Sequence, residues 1–316
     1  MSERWRRLLP SRKTLSVILT VVSVLLTLYC TVELIERLTT AKADVYASLA
    51  EVLSLRWLLL TEVLLFVVNI SLEALKWWLV NGRNYERYSW WRVYVTVLVA
   101  IAFGGATPGR VGEHVARMQD GAGKSDALMG SLVSSIVQTM VIVVFALVGS
   151  YLYIGGCISD ISDDRTFFIV TIIVVLILLV VVSFLFRYAL LRWRNNEYTQ
   201  RFTMRRLGTI FAVNALRYVV FATQLVLLLV YDDMSLFVDV FIVATIYYLC
   251  ITLLPTINIV DIGVKNEMAV IVFGSLLTEP RIFTAVFVVW LLNTCLPSLF
   301  GLMVNICLMV RRIVVR

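Results

Sequence analysis

The chain has few of the residues on which metal sites and soluble catalytic centres depend. Its 316 residues include one histidine, His114, and five scattered cysteines that form no CxxC pair. Structural zinc sites take four closely spaced Cys or His ligands, so the sequence predicts no metal and no cofactor. The isolated cysteines are typical of small apolar packing residues. The longest polar segment, 192–206, is too short for a soluble catalytic domain.

Charge is also scarce, and long apolar runs take its place. A chain that is 60% hydrophobic and 16% charged is not a soluble globular protein. Apolar runs of about 18 residues or more are typical of transmembrane helices. We predict an all-α integral membrane protein with six such helices, at about 15–32, 57–80, 127–154, 167–191, 207–230 and 282–310. The first run resembles a secretory signal, but no cleavage site follows it, so we expect a retained span.

The basic residues predict how the chain is oriented. Lys and Arg mark the cytoplasmic side of short loops. With the N-terminus inside, most of the 28 Lys and Arg residues fall on cytoplasmic segments, and the acidic loop residues fall opposite. We therefore predict a multi-pass protein of the cell (plasma or inner) membrane with both termini cytoplasmic. This topology explains the net charge of +7, so no nucleic-acid partner is expected.

Two polar stretches, 107–117 and 254–267, interrupt the apolar chain, and each contains Pro, Gly and Glu. Backbone broken by Pro and Gly survives within a bilayer only where protein or a water-filled cavity covers it. The apolar piece before the first stretch, 93–103, would be a helix of about 16 Å, too short to cross. We predict two re-entrant helical hairpins, at 92–120 from the cytoplasm and at 236–277 from outside.

The order span, span, hairpin, span then occurs twice within one membrane domain, residues 1–316. The first repeat covers 15–154 and the second 167–310. Because each repeat crosses the membrane three times, the second is inverted relative to the first. Inverted repeats with broken helices near the midplane are typical of transporters. The aligned identities are chiefly Pro108 with Pro255, Gly112 with Gly263 and Glu113 with Glu267.

The first polar stretch contains candidate ligands for an anion. Thr107 is predicted to cap a half-helix that begins at Pro108, and the free N–H groups of such a helix favour phosphate. Arg110, Glu113 and Arg117 fall in its first turns. Glu113 and Arg117 are four residues apart, so a local salt bridge is one interpretation. The other is that the arginines bind a lipid phosphate while Glu113 orients them or exchanges a proton.

The second stretch repeats this pattern with different residues. Asp261 is predicted to cap a half-helix that begins near Gly263, with Lys265 and Glu267 in its opening turn. If that end lies near the outer headgroups, these side chains are simply solvated. If it lies deeper, they belong to the site.

The spans themselves contain ionisable residues. Glu62, Asn69 and Glu73 share one helical face, with Lys76 on the same stripe. Ionisable residues inside a membrane indicate function unless they form a structural pair. We predict that Arg217 faces Glu73 or Glu62 across a central cavity. Other features of the spans are a predicted kink at Pro297 and the polar side chains of Gln138, Asn214, Gln224 and Asn293.

These motifs resemble the flippase-like family named for the transmembrane region of lysylphosphatidylglycerol synthase. The first matching residues are Pro108, Gly112, Glu113, Arg117, Lys124 and Ser125, and the second are Pro255 and 263–267. Residues 258–261 replace the glycine-rich turn that is usual in the family. The resemblance implies movement of a lipid between leaflets. It also implies that the chain, which lacks the soluble aminoacyl-transferase domain, is not itself a lysyl-lipid synthase.

We therefore expect a lipid flippase rather than an enzyme, with a phosphate-bearing membrane lipid as its partner. The lipid would be an anionic or aminoacylated phospholipid or a polyprenyl-phosphate-linked species. The sequence leaves open whether the chain forms a homodimer. The alternatives are a membrane-embedded lipid-modifying enzyme that uses Glu113 and His114 as acid and base, or a non-transporting subunit of a cell-envelope lipid pathway. The candidate substrate-binding residues are Glu73, Arg110, Glu113, Arg117, Arg217, Asp261, Lys265 and Glu267.

Overall fold

The computed structural model describes residues 42–81, 89–107, 110–118, 124–154, 203–254, 256 and 261–314, with scattered positions between 21 and 39. All the elements in these ranges are helices: α1 (Lys42–Ser54), α2 (Arg56–Asn81), α3 (Trp90–Gly105), α4 (Val111–Arg117), α5 (Lys124–Ile154), α6 (Met204–Val230), α7 (Phe237–Leu253), α8 (Ile262–Phe273), α9 (Glu279–Trp290) and α10 (Leu296–Val314). A 3-10 turn (Met234–Leu236) precedes α7, and a π-helical segment (Leu291–Cys295) joins α9 to α10. The predicted all-helical class is confirmed for this part of the chain.

Five helical stretches are long and apolar enough to cross a membrane: Arg56–Asn81, Asp126–Tyr153, Arg205–Val230, Met234–Leu253 and Glu279–Cys307. The first three and the last coincide with four of the predicted spans. The chain is therefore a multi-pass integral membrane protein. The predicted span at 167–191, and all but a few positions of the one at 15–32, lie outside the described residues.

The outward faces of these helices are apolar as well. Leu60 and Leu64 on α2, Tyr151 on α5 and Met303 on α10 are each more than half exposed. In water, such contiguous apolar surface marks an interaction site. On helices of this length and composition, it is the surface that lipid covers.

The fifth apolar stretch, Met234–Leu253, contains the first arm of the predicted second hairpin. It has 20 residues and is about 30 Å long as a helix, close to the thickness of the hydrocarbon core. Its return arm, α8, packs against it and has only 12 residues. The α3–α4 pair is likewise unequal, with 16 and 7 residues. We call α3 with α4 the first hairpin and α7 with α8 the second hairpin.

At the centre, α2 and α6 lie antiparallel. Hydrogen bonds join the pair at three levels, from Arg206 to Leu79, from Arg217 to Asn69 and from Gln224 to Glu62. The residue number falls on α2 as it rises on α6. Because the first hairpin follows the end of α2 and the second follows the end of α6, the hairpins start at opposite ends of this pair.

Each hairpin is crossed closely by a long helix from elsewhere in the chain. A Cβ at Gly301 on α10 would overlap the carbonyl oxygen of Leu98 on α3. A Cβ at Gly149 on α5 would overlap Thr245 on α7 and lie 3.0 Å from the Ile242 carbonyl oxygen. Glycine at both positions allows the backbones of the two helices to come into direct contact, α10 with α3 and α5 with α7.

A π-helical segment lies just before Pro297, the position at which the sequence predicts a kink. Proline has no backbone N–H, so the carbonyl four residues earlier, on Asn293, lacks its usual helical partner. π-helical turns are rare, occur mostly as single turns inside α-helices, and are frequent at functional sites. Here the turn contains Asn293, which borders the cavity described next.

Candidate functional site

A cavity of about 430 Å³ lies between the tips of the two hairpins. Arg110 and Glu113 from the first hairpin line it, as do Asp261 and Lys265 from the second. Arg217, from α6, lines it as well. The structure thus brings five of the eight predicted site residues onto one cavity.

The tip of the first hairpin differs from the prediction. Its short helix begins at Val111 rather than Pro108, and Thr107 is not its N-cap residue. The Thr107 hydroxyl still accepts the N–H of Gly112, at 2.7 Å. A Cβ at Gly112 would overlap the carbonyl oxygen of Phe103, so glycine is needed for α4 to pack on α3. Pro108 itself lies outside the described residues.

Arg110 explains why the helix starts late. It occupies the N-cap position with φ 59 and ψ 26, the left-handed region. A right-handed helix cannot continue through that conformation from Pro108. A non-glycine residue there carries strain of about 1–3 kcal/mol, and such residues cluster at functional sites. The Arg110 side chain is 37% exposed, the most accessible of the ion-paired cations along the cavity.

Glu73 is the centre of a buried ionic cluster. Its carboxylate pairs with Lys76 Nζ at 2.6 Å, Arg117 Nη2 at 2.7 Å and Arg217 Nη1 at 3.0 Å. The predicted pairing of Arg217 with Glu73 is confirmed. Gln138 Oε1 accepts from Lys76 Nζ at 3.1 Å and from Arg217 Nη1 at 3.3 Å. The carboxylate of Glu73 therefore forms salt bridges with three cations in the interior of the helix bundle.

Glu113 connects this cluster to the cavity. Its Oε1 lies 2.5 Å from Arg117 Nη2, and its Oε2 lies 2.8 Å from Arg110 Nη2. The local salt bridge between Glu113 and Arg117 is thus confirmed. Arg117 is buried, with its guanidinium 4.4 Å from the ring centre of Trp77. It does not line the cavity, so its position suits it to hold Glu73 and Glu113 rather than to meet a ligand.

A chain of amide side chains extends from the cluster. Arg217 Nε donates to Asn69 Oδ1 at 2.9 Å, and Asn69 Nδ2 donates to Asn293 Oδ1 at 2.7 Å. Asn293 Nδ2 then donates to Gln224 Oε1 at 3.0 Å, and Gln224 Nε2 donates to the backbone carbonyl of Glu62 at 3.2 Å. The alternative pairing of Arg217 with Glu62 is not observed. Three helical elements, α2, α6 and the π-helical segment, are joined by this one polar chain.

Asp261 lies at the N-cap position of α8, as predicted, but its side chain makes no capping hydrogen bond. The predicted capping role is wrong because two other groups hold the carboxylate. Lys265 Nζ pairs with it at 2.7 Å from one turn further along, and Thr256 Oγ1 donates to it at 2.9 Å across the tip. The other tip residues, 255 and 257–260, lie outside the described residues.

Glu267 does not line the cavity. It is two residues beyond Lys265, which places it about 200° away around the helix. Gly263, in the same turn of α8, faces the backbone of Cys30, because a Cβ there would lie 2.5 Å from the Cys30 carbonyl oxygen. The residues of this predicted opening turn therefore face two different places: Lys265 lines the cavity, and Gly263 contacts the backbone at Cys30.

The sequence did not single out the aromatic side of the cavity, which includes Phe221, Tyr247, Tyr248 and Trp290. In so apolar a sequence, aromatic residues that line a cavity cannot be distinguished from aromatic residues that pack in the core. The sequence also gave no sign that His114 Nδ1 lies 2.6 Å from Ser131 Oγ. Among the described residues, no group of three or more His, Cys, Asp and Glu side chains could hold a metal ion.

The fold and the site together define a class: a multi-pass membrane protein with a buried ionic cluster beside a cavity between two helical hairpins. No protein-family model matches the chain, and no curated protein matches its sequence.

Proposed function

We propose that the protein is a lipid flippase that binds the phosphate-bearing headgroup of a membrane lipid in the cavity between the hairpins. The observation that carries this proposal is an excess of positive charge. The central cluster holds four cations, Lys76, Arg110, Arg117 and Arg217, and two carboxylates, Glu73 and Glu113, so its formal charge is +2. Uncompensated charge inside a membrane protein is costly. A bound anion would complete the cluster.

The accessible cations are arranged to receive such an anion from both sides. Arg110 reaches the cavity from the first hairpin, Lys265 from the second, and Arg217 from the central helix α6. A phosphate offers several acceptor oxygens, and a guanidinium presents its donors in a planar fork that fits them. The lipid class is an anionic or aminoacylated phospholipid, or a polyprenyl-phosphate-linked lipid.

The proposal includes the finer architecture: six spans and two re-entrant hairpins in an inverted repeat, with both termini cytoplasmic. The opposite origins of the hairpins on α2 and α6 support it. So do the two glycine contacts, because the last long helix of each proposed repeat crosses the first arm of the other repeat's hairpin, at Gly149 and at Gly301. Such repeats open a central site to each side in turn. The motif resemblance to the transmembrane region of lysylphosphatidylglycerol synthase belongs to the same proposal.

The test is leaflet assignment of labelled lipid in proteoliposomes. We expect the wild-type chain to speed the exchange of fluorescent phosphatidylglycerol or labelled polyprenyl phosphate between leaflets. The double variant Arg110→Ala and Lys265→Ala should slow it strongly, because both accessible cations of the tips are lost. Arg205→Ala, at the exposed start of α6, is the matched control and should behave as the wild type. Wild-type vesicles that move none of these lipids faster than empty vesicles would overturn the proposal.

A membrane-embedded lipid-modifying enzyme is the second candidate, and one contact favours it. The 2.6 Å separation of His114 Nδ1 and Ser131 Oγ is that of a nucleophile beside its base. Ser131 is buried and does not line the cavity, however, whereas Ser134 and Ser135 do. Mass spectrometry of a lipid extract incubated with the protein separates the candidates. A new covalent product that Ser131→Ala abolishes would establish the enzyme.

A further inference from the structure

Glu62 is a buried carboxyl group that the ionic cluster does not use. It lies on α2 and is 0% exposed, and neither Oε1 nor Oε2 has a hydrogen-bond partner among the described residues. An ionised carboxylate in apolar surroundings without a partner is very costly, and such a group takes up a proton instead. The neutral, protonated carboxyl is therefore the form that fits this arrangement.

The groups around Glu62 do not supply a compensating charge. The side chain of Gln224 on α6 lies against it, but the Gln224 amide donates to the backbone carbonyl of Glu62 at 3.2 Å. The titratable group that faces it from α7 is Tyr248, whose hydroxyl donates to the Phe221 carbonyl at 3.1 Å. Glu73 lies 11 residues further along α2, about 16 Å away along the helix, and its cation Arg217 is held at Asn69, seven residues from Glu62.

Glu62 is nevertheless connected to the cavity through the amide chain. Gln224 contacts Glu62 with one end of its amide and Asn293 with the other. Asn293 and Asn69 both line the cavity, and Asn69 accepts from Arg217. A ligand that engages Arg217 therefore acts on Glu62 through this amide chain and through the charge that it brings into the cavity.

We propose that Glu62 is a proton-binding site and that its proton and a headgroup anion in the cavity stabilise each other's binding. The coupling rests on the proposed function, whereas the presence of a proton on Glu62 does not. With the amide chain closed, Glu62 holds the proton. An anion that engages Arg217 adds negative charge to the cavity and so further disfavours a carboxylate at Glu62. When the O–H bond of Glu62 breaks and the proton passes to water, the carboxylate repels the anion and favours its release.

The proton itself is tested by infrared spectroscopy on the purified full-length chain at neutral pH. We expect the carbonyl stretch of a protonated carboxylic acid in the wild type and its loss in Glu62→Gln, which keeps the side-chain shape. Glu51→Gln, an exposed carboxyl on α1, is the matched control and should retain the band. If Glu62→Gln does not fold, Gln224→Leu leaves Glu62 in place and should shift the same band. Wild-type protein without the band would overturn the proposal.

The coupling is tested by titration calorimetry with dihexanoyl phosphatidylglycerol in two buffers of different ionisation enthalpy. As the pH is raised above neutral, the wild type should begin to take up protons when it binds the lipid, and Glu62→Gln should take up none while still binding. Equal proton uptake by the two proteins, or none by the wild type at any pH, would overturn the coupling. If the wild type does not bind the lipid, the proposed function and the coupling both fail, and the infrared band alone decides whether Glu62 holds a proton.

Discussion

Glu73→Gln is the substitution that tests the ionic cluster most severely. One buried carboxylate holds Lys76, Arg117 and Arg217 at 2.6–3.0 Å. Glutamine keeps the shape of the side chain but removes its charge. The three cations would then share Glu113 as the one carboxylate left to the central cluster, which would carry a formal charge of +3 in the interior of the helix bundle.

The size of the loss follows from these distances. Two unit charges about 3 Å apart attract by roughly 5.5 kcal/mol at an effective dielectric constant of about 20, before desolvation is counted. Breaking a buried pair by removing one partner typically costs about 3–5 kcal/mol, because the other charge stays buried. Arg117 keeps Glu113 and Lys76 keeps Gln138, so the cations retain some partners. We therefore expect a loss of about 3–5 kcal/mol in the free energy of unfolding, not three times that amount.

The assay is reversible unfolding in mixed micelles with increasing denaturing detergent, followed by circular dichroism. Glu51→Gln, the exposed carboxyl on α1, serves as the control and should remain within about 0.5 kcal/mol of the wild type. The double variant Glu73→Gln and Lys76→Gln should regain roughly 0.5–3 kcal/mol, because it removes one stranded cation. A single variant as stable as the wild type, or a double variant less stable than the single, would refute the account of the cluster.

Two further predictions concern helix packing and a surface ion pair. Gly301→Ala should destabilise the fold by about 1–3 kcal/mol, because its Cβ would overlap the carbonyl oxygen of Leu98. The control Gly208→Ala has open space around it and should be neutral or stabilising by up to about 1 kcal/mol. An equal loss of unfolding free energy in the two variants would contradict the packing of α10 on α3. Hydrogen bonds from Arg281 lower the pKa of Asp232, so their pair stabilises the fold above the carboxyl's unfolded pKa and is lost as pH falls through the lowered value. At neutral pH, the free energy of unfolding of Asp232→Asn should be lower than that of the wild type by less than about 1 kcal/mol, and in strong acid the two should be equal. Thermal unfolding at both pH values measures this. A difference that persists in acid would refute the assignment.

The polar stripe of α2 could be predicted from the sequence alone. Glu62, Asn69, Glu73 and Lys76 recur with helical spacing in an apolar span, and all four are buried. A helix of that length leaves few places for an ionisable side chain except the interior. The same reasoning predicted that Arg217 would face Glu73 or Glu62, and the observed partner is Glu73.

The hairpin tips could not be predicted in the same way. Capping rules assume that a helix begins where its sequence allows, and they placed Thr107 and Asp261 as caps. The close approach of Gly112 to Phe103 instead accompanies a left-handed turn at Arg110. Contacts between helices decided these local structures.

The amide chain was also beyond sequence reasoning. Asn69, Asn293 and Gln224 were visible as polar residues within spans. Their hydrogen bonds depend on the antiparallel register of α2 and α6 and on the π-helical turn that contains Asn293. The register has no local signature, and Pro297 indicates a break in the helix without indicating a π-helical turn that contains Asn293. Glu62 could be recognised as a carboxyl without a partner only after this register was known.

The central claim is that a membrane lipid places its phosphate in the cavity between the two hairpins. A cryo-electron microscopy map of the full-length chain in nanodiscs that contain phosphatidylglycerol tests it most directly. The account predicts phosphate density within hydrogen-bond distance of Arg110 and of Arg217 or Lys265, with an acyl chain leaving between helices. A well-resolved cavity that holds only water, with Arg110 paired to Glu113 alone at saturating lipid, would contradict it.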